Sequence, residues 1–332
     1  MFRKGNTFFK ATLVIGLFSI YIWIIHTSLN PGLPKPGSPA LLYSNQCRQD
    51  LRTTLLSAIK NAKHSIHLVM FGLTDPVILS ALIEKSKEVD VTVYYDPSAS
   101  LKISSLLQTL NAHPIKNRGL MHQKILVIDE ELVLLGSANM TQSSLAMHDN
   151  LMIGLSNQKL AKFLKQKTPL SSGNLKCFAG GQTIEIWLLP EPRGHALNDL
   201  KKMIRSSRKS IRIAMFTFTH MGLVDEIIKA KKRGVDVSVV VDMNSGVGVS
   251  AKCIEVLKAS HVDIQLSQGS QLLHHKFIYI DENILVTGSS NWTKAAFYRN
   301  HDCFLILRHL NKDQKKFMNQ LWEYIQTEAA AA

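Results

Sequence analysis

Short apolar stretches alternate with stretches of helical periodicity over most of the chain, which predicts an α/β fold. The apolar stretches are rich in β-branched residues and predict strands, while apolar positions three and four apart predict helices between them. The predicted strands lie at 65–71, 89–96, 210–216 and 235–242, and the predicted helices at 55–63, 77–87 and 223–233. Because the same order occurs twice, we expect two lobes in which helices cover a sheet.

The two lobes are expected to meet near residues 169–181, where serine and glycine break the periodicity. The first strands of the lobes are predicted at 41–43 and 184–189. We therefore assign residues 40–172 to the first lobe and residues 173–332 to the second. A chain of 332 residues is long enough for two domains of about 150 residues each.

The N-terminal region carries a targeting pattern. Basic residues precede an apolar stretch at 11–25, and a proline-rich linker follows at 31–39. We predict that residues 1–30 form an uncleaved membrane anchor, because Tyr21 and Trp23 are typical of a membrane interface and no Ala-x-Ala cleavage site follows. The alternative is a cleaved signal and a secreted protein. In both cases the charge bias places the folded body outside the cytoplasm.

The charge of the chain narrows the choice of partners. Lys and Arg number 39 against 25 Asp and Glu, so the formal net charge is +14. Such an excess favours polyanions such as nucleic acid or anionic lipid head groups, without distinguishing between them. The hydrophobic content of 45% is ordinary for a folded globular chain.

The four cysteines do not follow the spacing of a zinc site. Cys47, Cys177, Cys253 and Cys303 form no Cys-x-x-Cys pair, so we expect no structural metal. In an exported body Cys47 and Cys177 could form a disulfide, and four buried free thiols are the alternative.

A pattern of histidine, lysine, aspartate, glycine, serine and asparagine occurs twice with identical internal spacing. The first copy is His122, Lys124, Asp129, Gly136, Ser137 and Asn139, and the second is His274, Lys276, Asp281, Gly288, Ser289 and Asn291. Every position of the second copy lies 152 residues after its counterpart in the first. Two complete copies at one offset are hard to obtain by chance, and they indicate an enzyme.

Each motif is predicted to begin a β-hairpin, with strands at 121–128 and 273–280. Side chains two apart on a strand share a face, so the histidine and lysine of each motif should point the same way. His275 falls on the opposite face and is predicted to be non-catalytic. Asp129 and Asp281 are counted with the catalytic residues of the two motifs, but they lie at the turns and are assigned a structural role. The glycines allow close backbone approach.

The duplicated motif resembles the signature of the phospholipase D superfamily, and the resemblance extends from residue 40 to the end of the chain. It implies two α/β/α sandwich lobes related by a pseudo-twofold axis, with both motifs in one active site and no metal or other cofactor. It also implies an acidic residue about 28 positions after each histidine, which orients the imidazole. Asp149 and Asp302 fit this position. Because one chain carries both half-sites, a monomer should suffice.

The resemblance implies a two-step reaction through a phosphohistidine, and the chemistry of the residues agrees. An imidazole can act as nucleophile or as acid near neutral pH. By the usual order of the family, His122 is the nucleophile and His274 the general acid. The lysines would neutralise the phosphoryl oxygens, and the expected phosphate-binding side chains are Ser137, Asn139, Ser289 and Asn291.

Hydrolysis of phospholipid head groups is the favoured activity, because an anchored body would meet its substrate at the membrane surface. A nuclease that cleaves DNA or RNA is the alternative, since residues 287–293 also resemble the small endonucleases and mitochondrial cardiolipin hydrolases of the superfamily. Phosphatidyl transfer, as in cardiolipin synthases, is a third. A non-catalytic membrane tether that binds lipid or nucleic acid would be expected to have decayed motifs, and both copies are intact.

Overall fold

The computed structural model describes residues 12–22, 32–100, 108–268 and 271–330, and contains two mixed β-sheets. The first sheet has the strand order β1-β7-β6-β5-β2-β3-β4, and the second β12-β11-β10-β13-β14-β15-β9-β8. The strands of the first are β1 (Leu41–Tyr43), β2 (Ser65–Met70), β3 (Asp90–Tyr95), β4 (Asn111–Pro114), β5 (Lys124–Ile128), β6 (Leu132–Gly136) and β7 (Met152–Ser156). Those of the second are β8 (Gly173–Ala179), β9 (Gln182–Leu188), β10 (Ser210–Met215), β11 (Asp236–Asp242), β12 (Asp263–Ser267), β13 (Lys276–Ile280), β14 (Ile284–Gly288) and β15 (Cys303–Arg308).

Helices connect the strands in both lobes. Helix α1 covers residues 12–22. The first lobe continues with a short 3-10 helix (Asn45–Cys47), α2 (Leu51–Lys60), α3 (Pro76–Lys85), α4 (Gln142–Ala146) and α5 (Gln158–Lys167). The second contains α6 (His195–Ser206), α7 (Met221–Lys232), α8 (Met243–Val247), α9 (Ala251–Ala259), α10 (Lys294–Tyr298) and α11 (Lys312–Ala330). Side-chain caps fix several helix starts: Asp75, for example, accepts hydrogen bonds from the first turn of α3.

The two sheets have the same local pairing around the duplicated motif. In each lobe the motif strand runs antiparallel to the strand that ends in Met-Phe, with Met70 opposite Lys124 and Met215 opposite Lys276. A three-residue turn then leads into the return strand in both lobes. The predicted duplication is therefore present in the register of the sheets as well as in the sequence.

The apolar faces of the sheets and helices form three hydrophobic cores. One core lies between sheet one and helices α2 and α3, and another between sheet two and helices α6, α7 and α9. A third core is shared: it contains residues of both sheets together with the apolar faces of α5 and α11. Each lobe is thus a sheet between helices, as predicted, and the shared core joins the lobes into one body.

The predicted boundary contains structure that the sequence reading missed. Residues 173–179 form strand β8, which pairs with β9 across the turn at Gly180 and Gly181. This edge strand alternates between exposed and more buried residues, and its polar composition resembles a loop. The strands of the first sheet end at Ser156 and those of the second begin at Gly173.

The N-terminal segment is described only in part, because the predicted anchor at residues 1–30 includes residues 1–11 and 23–30, which lie outside the described residues. Helix α1 exposes its apolar side chains, Leu13 and Phe18 among them. Among the described residues, no helix has both the length and the apolar character needed to cross a membrane. The anchor at residues 1–30 stays a prediction.

All four cysteines are free thiols, three of them buried and Cys47 partly buried. Of the two possibilities that the sequence left open, the structure shows the unpaired one.

Candidate functional site

The candidate site lies at the start of the two motifs. There the backbone of each motif pairs with a segment of the other lobe. The N–H of His122 donates to the carbonyl of His301 at 2.8 Å, and the N–H of His274 donates to the carbonyl of Asp149 at 3.0 Å. Isolated bridges between Met121 and His301 and between Asp149 and Leu273 complete this reciprocal pairing. The backbone of each motif histidine is thus hydrogen bonded to the other lobe.

His122 is held by a carboxylate from the second lobe. Its Nδ1 lies 2.8 Å from Oδ1 of Asp302, and the same oxygen accepts a hydrogen bond from the hydroxyl of Ser289 at 2.8 Å. Burial raises the pKa of Asp302, but His122 and Lys124 outweigh it and hold that pKa below its ordinary value. Asp302 therefore fixes the ring with Nδ1–H towards the carboxylate and Nε2 free, as predicted for an orienting residue.

His274 is held by an amide from the first lobe, and the side chain of Asp149, which was predicted to orient an imidazole, holds neither histidine. Its Nδ1 lies 3.0 Å from Oδ1 of Asn150, which also accepts from the hydroxyl of Ser137 at 2.8 Å. The amide nitrogen of Asn150 donates to the carbonyl of Ser144 at 3.0 Å, so the oxygen must face the histidine. His274 therefore also carries its proton on Nδ1 and presents Nε2.

The prediction for Asp149 is wrong because of a shift of one residue. Asn150 lies 152 residues before Asp302, so it is the true counterpart of Asp302, and Asp149 is the counterpart of His301. The side chain of Asp149 faces Glu328 of α11 instead. The shift arose because the dipeptide His-Asp occurs at 148–149 and again at 301–302.

The motif strands begin later than predicted, since β5 starts at Lys124 and β13 at Lys276. The histidines therefore precede the strands, in the segments that pair with the other lobe. Histidine and lysine nevertheless share a side, because both contact one aromatic ring. In the first lobe the rings of Phe71 and His122 are 5.0 Å apart and Nζ of Lys124 lies 5.0 Å from the ring centre.

The second lobe repeats this arrangement. The rings of Phe216 and His274 are 5.2 Å apart, and Nζ of Lys276 lies 4.9 Å from the Phe216 ring. Each lysine also donates to the carbonyl of its own motif histidine, at 2.7 Å in the first lobe and 3.0 Å in the second. The two phenylalanines were overlooked as site residues, although both end a repeated Ile-x-x-x-Met-Phe pattern that was visible in the sequence.

Burial and mutual repulsion set the charge state of the site. Burial lowers the pKa of Lys124 to about 7, despite the opposing effect of Asp302. Burial and then Lys124 lower the pKa of His122, against the opposing effect of Asp302. Burial followed by Lys276, Lys124 and His122 lowers the pKa of His274 well below its ordinary value. Both imidazoles are therefore neutral before an anion binds.

These electrostatic effects also show that the two half-sites share one space. Each lysine acts on the histidine of the other motif, and His122 acts on His274. The two histidines and two lysines are each less than one tenth exposed. Four cationic or potentially cationic groups thus converge on one buried site, which suits a phosphoryl anion.

The motif aspartates stabilise the hairpin turns, as predicted. Asp129 accepts hydrogen bonds from the backbone N–H groups of Lys63, His64 and Ser65, with closest distances of 2.9, 2.7 and 2.9 Å. Asp281 accepts from Arg208, Lys209 and Ser210 at the same three distances. Both aspartates have φ above 50° and contact none of the convergent side chains through these bonds. Their role is to fix the hairpin, and they are not placed to act on a substrate.

The motif serines do not present their hydroxyls to a ligand, which corrects the prediction for Ser137 and Ser289. Both are fully buried, and each hydroxyl donates to the side chain that holds a histidine. The hydroxyls also accept a backbone N–H, from Leu151 and from Cys303. Gly136 explains how these strands come so close: a Cβ there would lie 2.3 Å from a backbone oxygen.

The motif asparagines are placed beside the phenylalanines. Oδ1 of Asn139 accepts the N–H of Gly72 at 3.3 Å, and Oδ1 of Asn291 accepts the N–H of Thr217 at 3.2 Å. Both are partly exposed, in contrast to the serines. With their oxygens held by the backbone, their amide nitrogens remain the donors that could meet a phosphoryl oxygen, so the phosphate-binding role of both asparagines stays a prediction.

A groove of about 260 Å³ opens beside the second half-site. His148 lines it, and the His148 ring lies 6.1 Å from the His274 ring. Polar side chains form much of its wall, including Asp242, Asn244 and Gln271. Among the described residues, no group of three or more His, Cys, Asp or Glu side chains could hold a metal ion.

Comparison with known proteins gives a family model and several relatives. The model described as "Cardiolipin synthase, PLD-like domain" matches residues 55–168 and again residues 200–327. The mitochondrial cardiolipin hydrolase of Xenopus tropicalis is 30% identical over 130 residues, which cover 39% of this chain and 61% of that protein. The human protein of that name is 31% identical over 116 residues, covering 35% and 46%. A phospholipase D of Rickettsia conorii is 25% identical over 122 residues, covering 37% and 60%. The matches thus span less than two thirds of each relative.

Solved structures match the two-lobed arrangement. The phosphatidylserine synthase of Haemophilus influenzae superposes with a TM-score of 0.66 at 14% identity, covering 91% of this chain and 89% of that one. The polyphosphate kinase of Porphyromonas gingivalis gives 0.56 at 14% identity, covering 89% and 54%. At such identities the likeness concerns the fold alone.

Proposed function

The chain belongs to the phospholipase D superfamily, and we propose that it hydrolyses phospholipid head-group phosphodiesters through a phosphohistidine intermediate. The observation that carries the proposal is the reciprocal holding of two buried imidazoles, His122 by Asp302 and His274 by Asn150. Each ring is fixed with its Nε2 free, beside a lysine that can neutralise a phosphoryl oxygen. This set supplies a nucleophile, an acid and charge stabilisation at one place.

In the first step, Nε2 of His122 attacks phosphorus and the bond to the leaving oxygen breaks. His274, protonated on Nε2 in the substrate complex, gives that proton to the leaving alcohol. The bound phosphodiester makes this protonation possible, because its negative charge raises the pKa of His274, which burial and the two lysines lower. The products are the free alcohol and a phosphohistidine.

In the second step, neutral His274 takes a proton from water, and the resulting hydroxide attacks phosphorus. The bond between phosphorus and Nε2 of His122 breaks, which releases the phosphomonoester and restores neutral His122. His274 is then again protonated for the next first step. Lys124 and Lys276 oppose the charge on the phosphoryl oxygens in both transition states.

The two holding residues favour these roles in this order. His122 becomes a cationic phosphoimidazolium in the intermediate, and the carboxylate of Asp302 stabilises that charge. Asn150 offers His274 an oriented but uncharged acceptor. Protonated His274 is therefore the stronger acid of the two, which suits proton donation to a leaving oxygen.

The lipid substrate is supported by the relatives and by the groove. Two of the similar proteins are named for cardiolipin hydrolysis and one as a phospholipase D. The groove lies on the His274 side, where the leaving alcohol would depart, and its polar wall suits a head group. We propose a membrane surface as the partner, with the body outside the cytoplasm and a monomer as the active unit.

Cleavage of DNA or RNA is the second candidate, and the net charge of +14 favours it. The Asp242 carboxylate in the groove opposes it, because a nucleic-acid strand that continued through the groove would bring a further phosphate towards that charge.

The test is product analysis with the full chain. Labelled phosphatidylcholine, cardiolipin and single-stranded DNA are each incubated with the protein, with and without a chelator, and His122→Ala serves as the inactive control. We expect phosphatidate from the lipids, insensitive to the chelator. DNA cleavage without lipid hydrolysis would replace the lipid proposal by the nuclease, and activity that the chelator abolishes would contradict the metal-free mechanism.

A further inference from the structure

Behind the second half-site lies a partly buried polar chain that the reaction does not use. It connects Asp149 of the first lobe, Glu328 of α11, Gln46 of the 3-10 helix and His275 of the second motif. Gln46 donates from Nε2 to Oε2 of Glu328 at 2.8 Å, and its Oε1 lies 2.7 Å from Nε2 of His275. The carboxyl groups of Asp149 and Glu328 are hydrogen bonded to each other.

These hydrogen bonds, together with the contact between the two carboxyl groups, imply one shared proton. His275 donates from Nε2 to the oxygen of Gln46, and Gln46 donates to Glu328, so Glu328 acts as an acceptor. Two ionised carboxylates cannot hydrogen bond to each other, so the pair shares one proton, which we place on Asp149. Burial, followed by the charge of Glu328, raises the pKa of Asp149 to about 8.

The surroundings leave the pair without a compensating cation. Among the described residues, neither carboxyl group takes part in an ion pair with a lysine or arginine. His148 adjoins Asp149 in the loop, and His275 reaches Glu328 through Gln46. Burial and then Lys276 lower the pKa of His275 to about 3, so this ring is neutral. The shared proton is therefore what allows the two carboxyl groups to stay together.

The pair lies next to the residues that hold His274. The backbone carbonyl of Asp149 accepts the N–H of His274, and the following residue, Asn150, orients the ring. At the corresponding place in the other half-site stands His301, whose ring bonds to the backbone of Pro169. A proton shared between carboxyl groups is thus found in the second half-site and not in its counterpart.

We propose that Asp149 and Glu328 are positioning residues that share a proton, and that this proton keeps the loop of Asp149 and Asn150 against His274. Loss of the proton at alkaline pH makes the carboxylates repel each other, which separates α11 from the loop and misplaces the acid of the reaction. The expected effect on kcat/KM rests on the proposed function, whereas the expected effect on the melting temperature does not.

The sign of the effect on stability follows from the raised pKa. An unfolded aspartate titrates near pH 4, roughly, so between there and about pH 8 the folded chain holds a proton that the unfolded chain has lost. Stability therefore falls as pH rises through this interval. Asp149→Asn supplies an amide donor that needs no proton, and the variant should escape this loss.

The experiment compares Asp149→Asn, Asp149→Ala and Glu328→Gln with wild type, and uses Glu323→Gln on the exposed side of α11 as the matched control. The melting temperature and kcat/KM are measured from pH 5 to 10. We expect the Asn variant to melt higher than wild type above pH 8 but not at pH 5, and its alkaline limb of kcat/KM to move up by about one pH unit or more. Glu328→Gln should behave likewise, Asp149→Ala should lose activity at every pH, and the control should match wild type.

Identical melting profiles for wild type and Asp149→Asn would overturn the shared proton. A shifted melting profile with an unchanged activity profile would overturn the positioning role. Absence of activity on every phosphodiester would contradict the proposed function instead, while the melting profiles would still decide whether the proton is shared.

Discussion

The two half-sites hold their histidines by different residues, although the reacting side chains of one closely match those of the other. Histidine, lysine and phenylalanine are arranged alike in both, with lysine-to-ring distances of 5.0 and 4.9 Å. The acceptor behind the ring is a carboxylate for His122 and an amide for His274. Nearly identical scaffolds can therefore carry different roles in a reaction, because one charge behind an imidazole decides which ring better bears a positive charge.

The largest expected effect separates the two histidines. His122→Ala should lower kcat/KM by about 10⁴-fold or more and form no covalent intermediate. His274→Ala should still react in the first step with an ester whose leaving group is weakly basic, because such a group needs no acid. It should then accumulate phosphohistidine, because the base of the second step is missing. Mass spectrometry of the quenched protein detects the adduct, and an adduct in the His122 variant alone would reverse the assignment.

Exchanging the holding residues should give the next largest effect. Asp302→Asn should lower kcat/KM by about 10²–10⁴-fold, because the cationic intermediate loses its counter-charge. Asn150→Asp should cost less, about tenfold, since it raises the pKa of His274 and weakens the acid. Its alkaline limb in the pH profile of kcat/KM should therefore move to higher pH. Equal losses with unshifted profiles would show that the difference between the two residues has no role in the chemistry.

The motif aspartates should show no such asymmetry. Asp129→Ala and Asp281→Ala each remove the acceptor of three backbone N–H groups, and each should lower the free energy of unfolding by about 2 kcal/mol. Urea denaturation measures this loss, and Asp129→Asn, which keeps one acceptor oxygen, should lose less. Clearly unequal losses for the two alanine variants would show that the lobes depend differently on their turns.

The effect of Asp129 should also depend on pH. Burial raises its pKa, but the backbone N–H groups of Ser65, Lys63 and His64 outweigh burial and lower it. Its stabilisation is thus complete above the pKa of an unfolded aspartate, about 4, and is lost as pH falls through the folded value. The difference between wild type and Asp129→Ala should shrink at pH 3 in the same denaturation experiment.

The smallest effect concerns the aromatic rings. Phe71→Leu and Phe216→Leu remove a cation–π contact worth about 0.5–2 kcal/mol, so each should lower kcat/KM about two- to thirtyfold. The losses should be similar, because the geometry is nearly the same in both lobes. Steady-state kinetics measures them, with melting temperatures as the control for folding. An unchanged kcat/KM in both variants would show that the rings do not position the lysines.

Much of this arrangement could be predicted from the sequence because it repeats there. Local patterns that occur twice predict the strands that precede Phe71 and Phe216, the motif hairpins and the turn role of Asp129 and Asp281. The resemblance predicts that Asp302 orients an imidazole, and the structure shows that this imidazole is His122 of the other lobe.

The errors arise where local pattern and spatial register disagree. Counting 152 residues back from Asp302 leads to Asn150, but the repeated His-Asp dipeptide directed the assignment to Asp149. The hydroxyls of Ser137 and Ser289 were expected to meet phosphate because nothing local shows that they meet Asn150 and Asp302 instead. The chain from Asp149 to His275 joins four distant segments, and a linear pattern carries no sign of such contacts.

Each motif histidine is held by a residue of the other lobe, and this arrangement bears on the evolution of the chain. If a single lobe assembled as two identical copies, one gene would encode both holding residues, and both would have to be Asp or both Asn. Fusion in tandem makes positions 150 and 302 separately mutable, so a division of labour between nucleophile and acid can be inherited. The covalent link between the lobes thus allows specialisation that a symmetric pair of separate chains could not fix.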